Sequence, residues 1–561
     1  MGLLYFPRND THLDDGTEIP GTVKLVDVDH NLDVQHQGEK DVILVPQPTN
    51  SPDDPLNWTP FRKIITLIWP CYYTFMVAVL AAVPAISYPE MVTDLGIPLG
   101  NLVSGTGYLF LFFGLGCLFW QPIALNFGRR PVYIYTLLIG GIACPLWLNH
   151  VSSSGEYYAN RIICGFFLSS VESLGEVVVG DLYFTHQRGM GINIYMMSLL
   201  SGTFLGPLAG SFITGSMTWK WLNNFLAIFC GMGVILSYIF MEETMFFRPA
   251  AAEDILSRAG VVHHAEEQEA DMSTTSSSNG NEKNVASTVQ LNSGAGSIEE
   301  LAPPARKTYF QRYPILFYRS PGQPNLFFQS VIRPLQIFVY FLPVAWSGLV
   351  VSLALAWWSV AGGTIAAILA EPPYNFGSSA LGLVYISPLV SSIICGYIGG
   401  PLSDRFCLWM ARHNNGVREP EFRFYIGILA LILTPAGLWM YGIGAAHQAP
   451  WPVIVIGYGF STVGSTLGQS LPYTYIMDCY PRIGGDSMVT VILVRNIIGG
   501  FAFAYAITPW IATDGYQTTF IILGLLSIFF WLTCIPIIIF GKSLRRKTAQ
   551  RYHQYAQTSS H

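Results

Sequence analysis

Charge is scarce in this chain: only 11% of its 561 residues are Asp, Glu, Lys or Arg, against about 25% in an average soluble domain. That argues against a water-soluble globule. Organised cysteine is also missing. The nine cysteines (Cys71, Cys117, Cys144, Cys164, Cys230, Cys395, Cys407, Cys479 and Cys534) are odd in number and scattered through apolar runs, so neither a disulfide framework nor a CxxC metal pair is expected. The first part of the chain lacks a short apolar run behind a basic start, which argues against a signal peptide. Phe6 stands where N-myristoylation needs Ser or Thr. No nucleophile, metal or nucleotide constellation is visible, so no enzyme and no cofactor are expected. Gly541-Lys542-Ser543 imitates the end of a phosphate loop, but Pro536 occupies the position that needs glycine.

What is abundant is apolar. Hydrophobic residues make up 51% of the chain and aromatics 14%, with 54 Gly and 35 Pro, a mixture typical of membrane helices. Crossing about 30 Å of hydrocarbon takes about 20 apolar residues. Twelve such runs are present, near 64–86, 102–124, 131–149, 158–180, 191–213 and 221–241, then 331–356, 378–401, 422–445, 451–476, 488–508 and 517–541. The fold expected is all-α and integral to the membrane, with twelve transmembrane helices in two six-helix bundles, residues 61–242 and 325–541. Residues 1–60 carry eleven acidic side chains against Arg8, Lys24 and Lys40 and read as an acidic, largely disordered tail. Residues 243–324 form a central loop whose Ser/Asn/Gly-rich core cannot build packing. Within it, Arg306 to Arg319 mixes cations with Tyr and Phe and is expected to lie on the membrane surface. Residues 542–561 form a second tail.

With the first tail inside, the inner loops hold Arg129, Arg130, Arg188, Arg405, Arg412, Arg418, Arg423 and Arg482, and the outer loops hold only Lys220. The positive-inside rule then places both termini in the cytoplasm, and Asn57-Trp58-Thr59 is no glycosylation site. The halves also repeat. PIALNFGRRP (Pro122 to Pro131) answers GPLSDR (Gly400 to Arg405), and Asp181 with Arg188 answers Asp478 with Arg482.

These motifs in their order, together with NRIICG (Asn160 to Gly165), GTFLGPLAG (Gly202 to Gly210), RHNNGVREPE (Arg412 to Glu421) and RNIIGGFAFAYAITPW (Arg495 to Trp510), resemble the major facilitator superfamily over nearly the whole chain. Within it, the likeness is to the fungal drug:proton antiporter-like group, which includes polyamine permeases. The resemblance implies a secondary transporter of the plasma membrane, a monomer in the bilayer, exporting a small organic molecule such as a drug or secondary metabolite against protons. The alternative is uptake of an organic cation such as a polyamine. Nucleic acid is not an expected partner.

Ionisable residues inside a span are costly and mark functional sites. Span four carries Arg161, Glu172 and Glu176, and span eleven carries Arg495. Glu172 and Glu176 share a helix face, about 6 and 12 Å past the midpoint near Leu168. Two such carboxylates suit proton or cation handling; alternatively, Glu172 pairs structurally with Arg161 or Arg495. Tyr72, Tyr73, Tyr340, Trp346, Gln469 and Tyr473 are candidate cavity groups, or simply helix packing. Arg129, Arg130, Asp181, Asp404, Arg405 and Asp478 read as a conformational latch, or as topology anchors. Leu125 stands where the family motif has Asp, so Asp181 is expected to partner Arg129 or Arg130. Gly202, Gly206 and Gly210 lie on one helical face beside Pro207, giving a smooth packing surface.

Overall fold

A computed structural model describes residues 19–24, 36–37, 40–43, 53–183, 185–246, 327–414 and 417–558. The central segment, the Arg306 to Arg319 stretch and most of the acidic tail lie outside these residues. The described chain is helical apart from strands of two to four residues.

The first bundle comprises Pro60–Leu95, Leu99–Phe127, Arg129–Leu148, Ser154–Leu182, Thr185–Ser216 and Trp219–Phe240. The second begins with Leu342–Ala370, Ser378–His413 and Pro420–Ala446. Trp451–Cys479, whose Gly, Ser and Thr content lowers its hydropathy, is the tenth crossing. The last apolar stretch, Pro481–Ala556, reverses at Gly515 (φ 73°) and so supplies the eleventh and twelfth crossings. Local chemistry sets the breaks. Gly96 ends span one with φ 66°, and Ser153 caps span four by accepting from the Glu156 N–H at 3.3 Å.

Three limits differ from the sequence expectation. The seventh crossing runs to Ala370, and the residues before it form a separate amphipathic helix, Phe327–Tyr340, divided from it at Phe341. That lateral helix is anchored to span eleven by Arg333–Asp486 at 3.6 Å and by Thr490 donating to the Pro334 carbonyl at 2.8 Å. The region from 542 onward continues span twelve as a helix to Thr558. Residues 19–24 of the N-terminal tail are seated: Val23 and Lys24 pair antiparallel with Arg418 and Val417, and Ile19 is buried.

The bundles meet along spans two and eleven and along spans five and eight, where small residues allow close approach. A Cβ on Gly114 would stand 3.1 Å from Asn496 Cβ, and one on Gly107 3.2 Å from Ala504 Cβ. One on Gly382 would run into Ser211. Within the first bundle, Gly202 and Gly206 press span five onto Phe75 and Val79 of span one, and Gly210 faces Val83.

Candidate functional site

A cavity of about 1040 Å³, counting space open to solvent, lies between the bundles. Its walls come from spans one (Ala81 to Tyr88), two (Leu99 to Phe110), five (Pro207), seven (Trp358 to Ala367), eight (Tyr385), ten (Tyr458) and eleven (Ala504 to Ile511), with Tyr516. It occupies the half of the bundle away from the GRRP and GPLSDR loops. Its lining has no Asp, Glu, Lys, Arg or His. Several lining hydroxyls are already engaged: Ser359 donates to the Leu355 carbonyl at 2.9 Å, and Thr364 bonds Tyr441 at 2.8 Å.

Beneath this cavity, toward the arginine-rich end, the charged residues of spans four and eleven meet. Glu172 forms an ion pair with Arg495 across the bundle seam, the side chains being 9% and 7% exposed. Asn496 Nδ2 donates to Glu172 Oε2 at 2.7 Å, and Arg495 Nη1 donates to the Tyr473 hydroxyl at 3.1 Å. Local backbone explains the placement. Span four tightens into a 3-10 turn at Ser169–Glu172, and span eleven widens into a π turn at Asn496–Ala502, a device common at functional sites. Gly500 in that turn packs on Phe110 at the cavity wall, so the ion pair lies one turn below it. Glu176 is on the same face of span four, and no ion pair or hydrogen bond holds its carboxylate among the described residues. Arg161 is apart from both. It is buried near the other end, donating to Asn160 Oδ1 at 2.9 Å and lying 5.4 Å from the Tyr157 ring.

At the arginine-rich end each bundle has its own charge cluster. In the first, Arg129 pairs with Asp181 at 3.2 Å. Glu243 accepts the backbone N–H groups of Arg129 and Arg130, both at 3.0 Å, placing a carboxylate on the N-terminus of span three. In the second, Arg423 bridges Asp404 (2.8 Å) and Asp478 (2.7 Å), and Arg418 adds a contact to Asp478 at 2.9 Å. Beside it the fully buried Arg545 donates to Glu421 (3.0 and 2.8 Å), Glu419 (2.6 Å), Thr22 (3.0 Å) and the Pro20 carbonyl (2.6 Å).

The sequence model of the Major Facilitator Superfamily matches residues 68–502, more than three quarters of the chain. The chain belongs to the major facilitator superfamily. It is 30% identical over 550 residues to the uncharacterized MFS-type transporter C1271.10c of Schizosaccharomyces pombe, covering 96% of this chain and 94% of that one. It is 22% identical over 445 residues to the probable efflux pump mfs2 of Aspergillus flavus, covering 78% and 92%. Among solved structures, a POT family transporter crystallised with a thioalcohol-conjugated peptide superposes with a TM-score of 0.55 at 14% identity, covering 88% and 99%. As a major facilitator the chain is a secondary transporter that sits in the bilayer and carries small molecules.

In this facilitator several sequence-predicted site residues lie elsewhere. Tyr72 donates to the Phe229 carbonyl at 2.7 Å between spans one and six. Tyr73 is buried inside the first bundle, bonded to Thr136 (2.9 Å) and Ser170 (2.7 Å). Tyr340 is exposed on the lateral helix beneath Arg551. Trp346 donates to Thr533 at 2.9 Å and packs on Phe424 inside the second bundle. Gln469 is half-buried and outside the cavity lining. Tyr473 alone of the six joins the functional cluster, through Arg495. Pro207 lines the cavity. Arg405 is exposed, 3.5 Å from the Tyr397 hydroxyl, while Arg423 takes the bridging position. Arg130 points its guanidinium at the Tyr238 carbonyl rather than at Asp181. The sequence reading missed Asn496, Glu243 and the Glu419/Glu421/Arg545 set. Asn496 follows Arg495, the charge inside the apolar run of span eleven, and Glu243 follows span six, while Glu419 and Glu421 stand in the RHNNGVREPE motif.

Proposed function

We propose that this facilitator exports a small organic molecule from the cytoplasm in exchange for protons, by alternating access, from the plasma membrane. The observation that carries the reading is the Glu172–Arg495 ion pair, which ties the bundles together beneath the cavity, with Glu176, whose carboxylate has no partner among the described residues, one turn away. The arginine-rich end is taken as cytoplasmic, because cations concentrate in its loops. In the state described the seam is closed on that side. Opening it separates Glu172 from Arg495 and forfeits the attraction that the pair has while the seam excludes water. Moving a proton onto Glu172 removes that barrier, since a neutral acid releases the guanidinium. Glu176, one turn away and without a cation among the described residues, is the neighbouring group able to relay that proton. The uncharged, aromatic cavity suits an organic molecule held mainly through apolar contact. The name of the Aspergillus flavus relative agrees with export.

A second reading, uptake of an organic cation such as a polyamine, draws on the same Glu176, which an amine would satisfy directly. The test is inverted membrane vesicles given candidate compounds with and without an imposed pH gradient. Export predicts accumulation inside that collapses with the gradient. Efflux from preloaded vesicles coupled to the gradient would favour uptake, and passive leakage alone would refute both.

A further inference from the structure

We propose that Asn496 is a positioning residue for proton coupling: its side-chain amide serves Glu172 in both protonation states and holds the seam in register while the carboxylate titrates. The inference rests on the proton-coupled reading above. Glu172 has two partners from span eleven, and they differ in kind. Arg495 carries donors only, so it matches the carboxylate and offers no acceptor to the O–H of the acid. Asn496 carries both. Its Nδ2 donates to Glu172 Oε2 at 2.7 Å, while its Oδ1 is buried and has no hydrogen-bond partner among the described residues. A buried acceptor left without a donor is unfavourable and asks for an explanation. Once Glu172 is protonated, its O–H becomes a donor. A half-rotation of the Asn496 amide then presents Oδ1 to that proton, and the contact survives with its direction reversed.

The backbone keeps the amide in place for this exchange. Asn496 opens the π turn of span eleven, and Gly114 of span two lies so close that a Cβ there would be 3.1 Å from Asn496 Cβ. The surrounding titratable groups do not offer a substitute. Tyr473 already accepts from Arg495 at 3.1 Å, Tyr195 donates to the Val171 carbonyl, and Tyr73 is bonded to Ser170 at 2.7 Å. Cys117 lies 3.9 Å from the Gln121 amide oxygen. Glu176 is one turn away along the same helix. Glu172 and Glu176 are the two carboxylates that span four brings to this part of the seam.

The test needs no transported compound. A cysteine at Gly485, whose carbonyl faces Gln121 across the seam at 3.5 Å, is labelled by a membrane-impermeant maleimide at a series of pH values in the full-length protein. Eight of the nine native cysteines are buried, and Cys71 is half-buried, which keeps the background low. In Asn496→Leu the ionised form of Glu172 loses its 2.7 Å charge-assisted donor, while the acid form loses a neutral acceptor. The charge-assisted bond is the stronger of the two, so protonation becomes easier and the midpoint of pH-dependent opening moves about one pH unit toward alkaline pH, the equivalent of a tenfold change. Asn496→Ser, which keeps a donor and an acceptor, stays near the parent midpoint. Asn496→Ala replaces the leucine variant if that protein fails to reach the membrane. A parent that titrates beside an unshifted leucine or alanine variant overturns the Asn496 role alone. A serine variant shifted as far as leucine also overturns it. A parent with no pH-dependent opening overturns the coupling reading, and the Asn496 role with it.

Discussion

Replacing Glu172 with Gln isolates the charge at the bundle seam while keeping the side chain's shape. The variant leaves Arg495 buried, 7% exposed, with the Tyr473 hydroxyl as a neutral acceptor. Asn496 can still donate to the new amide oxygen, so packing is retained. Removing one member of a buried pair costs about 3 to 5 kcal/mol. The retained Tyr473 contact places this case near the lower end. That penalty applies to the closed seam, whereas opening admits water to Arg495 and relieves it. The equilibrium should therefore move toward the state open on the arginine-rich side by about 3 kcal/mol, or about a hundredfold. Labelling of Gly485→Cys at fixed pH should accelerate accordingly, and transport driven by an imposed pH gradient should fall. Adding Arg495→Met removes the stranded cation, and replacing both partners of a buried pair is often nearly neutral. The double variant should thus label at close to the parent rate while remaining unable to couple to protons. Unchanged labelling in Glu172→Gln, or no recovery in the double variant, would refute the reasoning.

Three further outcomes follow from the geometry. Asp404→Asn removes an acid that is 52% exposed, and Arg423 keeps Asp478, so the cost should stay within about 1 kcal/mol; Asp478→Asn, which takes a carboxylate from both Arg418 and Arg423, should lower thermal stability and turnover far more. Gly202→Val forces a side chain into the Phe75 backbone and should destabilise by about 1 to 3 kcal/mol or more, read as a lower melting temperature in detergent. Gly21 has φ 78°, and a Cβ there would stand 2.7 Å from the Asp478 carbonyl and 2.8 Å from Cys479 Cα; Gly21→Val should detach the tail and make its N-terminal residues more susceptible to limited proteolysis, with unaltered cleavage arguing against the docked strand.

How much of this was legible in the sequence depends on what each feature rests on. The crossings rest on hydrophobic length, a local property, and most appeared within a few residues of where they lie. Span seven blurred because the lateral helix Phe327–Tyr340 is itself apolar on one side and runs into Leu342 with only Phe341 between them. Arg495 was legible as a costly charge in an apolar run. Its pairing with Glu172 stood as one open alternative beside a Glu172–Arg161 pair, because only the approach of span eleven in space distinguishes the two arginines. The aromatic candidates failed for a related reason. Tyr and Trp serve equally as packing, interface and cavity groups, so composition could not separate Tyr473, which receives Arg495, from Tyr73, which is consumed inside one bundle.

The repeat between the halves shows where pattern and physics part. Leu125 breaks the motif that Asp404 keeps, which put a symmetric pair of latches in doubt and left Asp181 to partner Arg129 or Arg130. The first bundle restores the missing carboxylate from elsewhere: Glu243, beyond span six, accepts the amides of Arg129 and Arg130. The two clusters therefore differ in solvation. Arg129, Arg130 and Glu243 are 5%, 1% and 8% exposed, whereas the Asp404 side chain is 52% exposed. A buried cluster satisfied by backbone amides resists change, while an exposed carboxylate can exchange its guanidinium for water at small cost. If one half rearranges internally as the seam opens, the physics selects the second, and the first acts as the rigid body against which it moves.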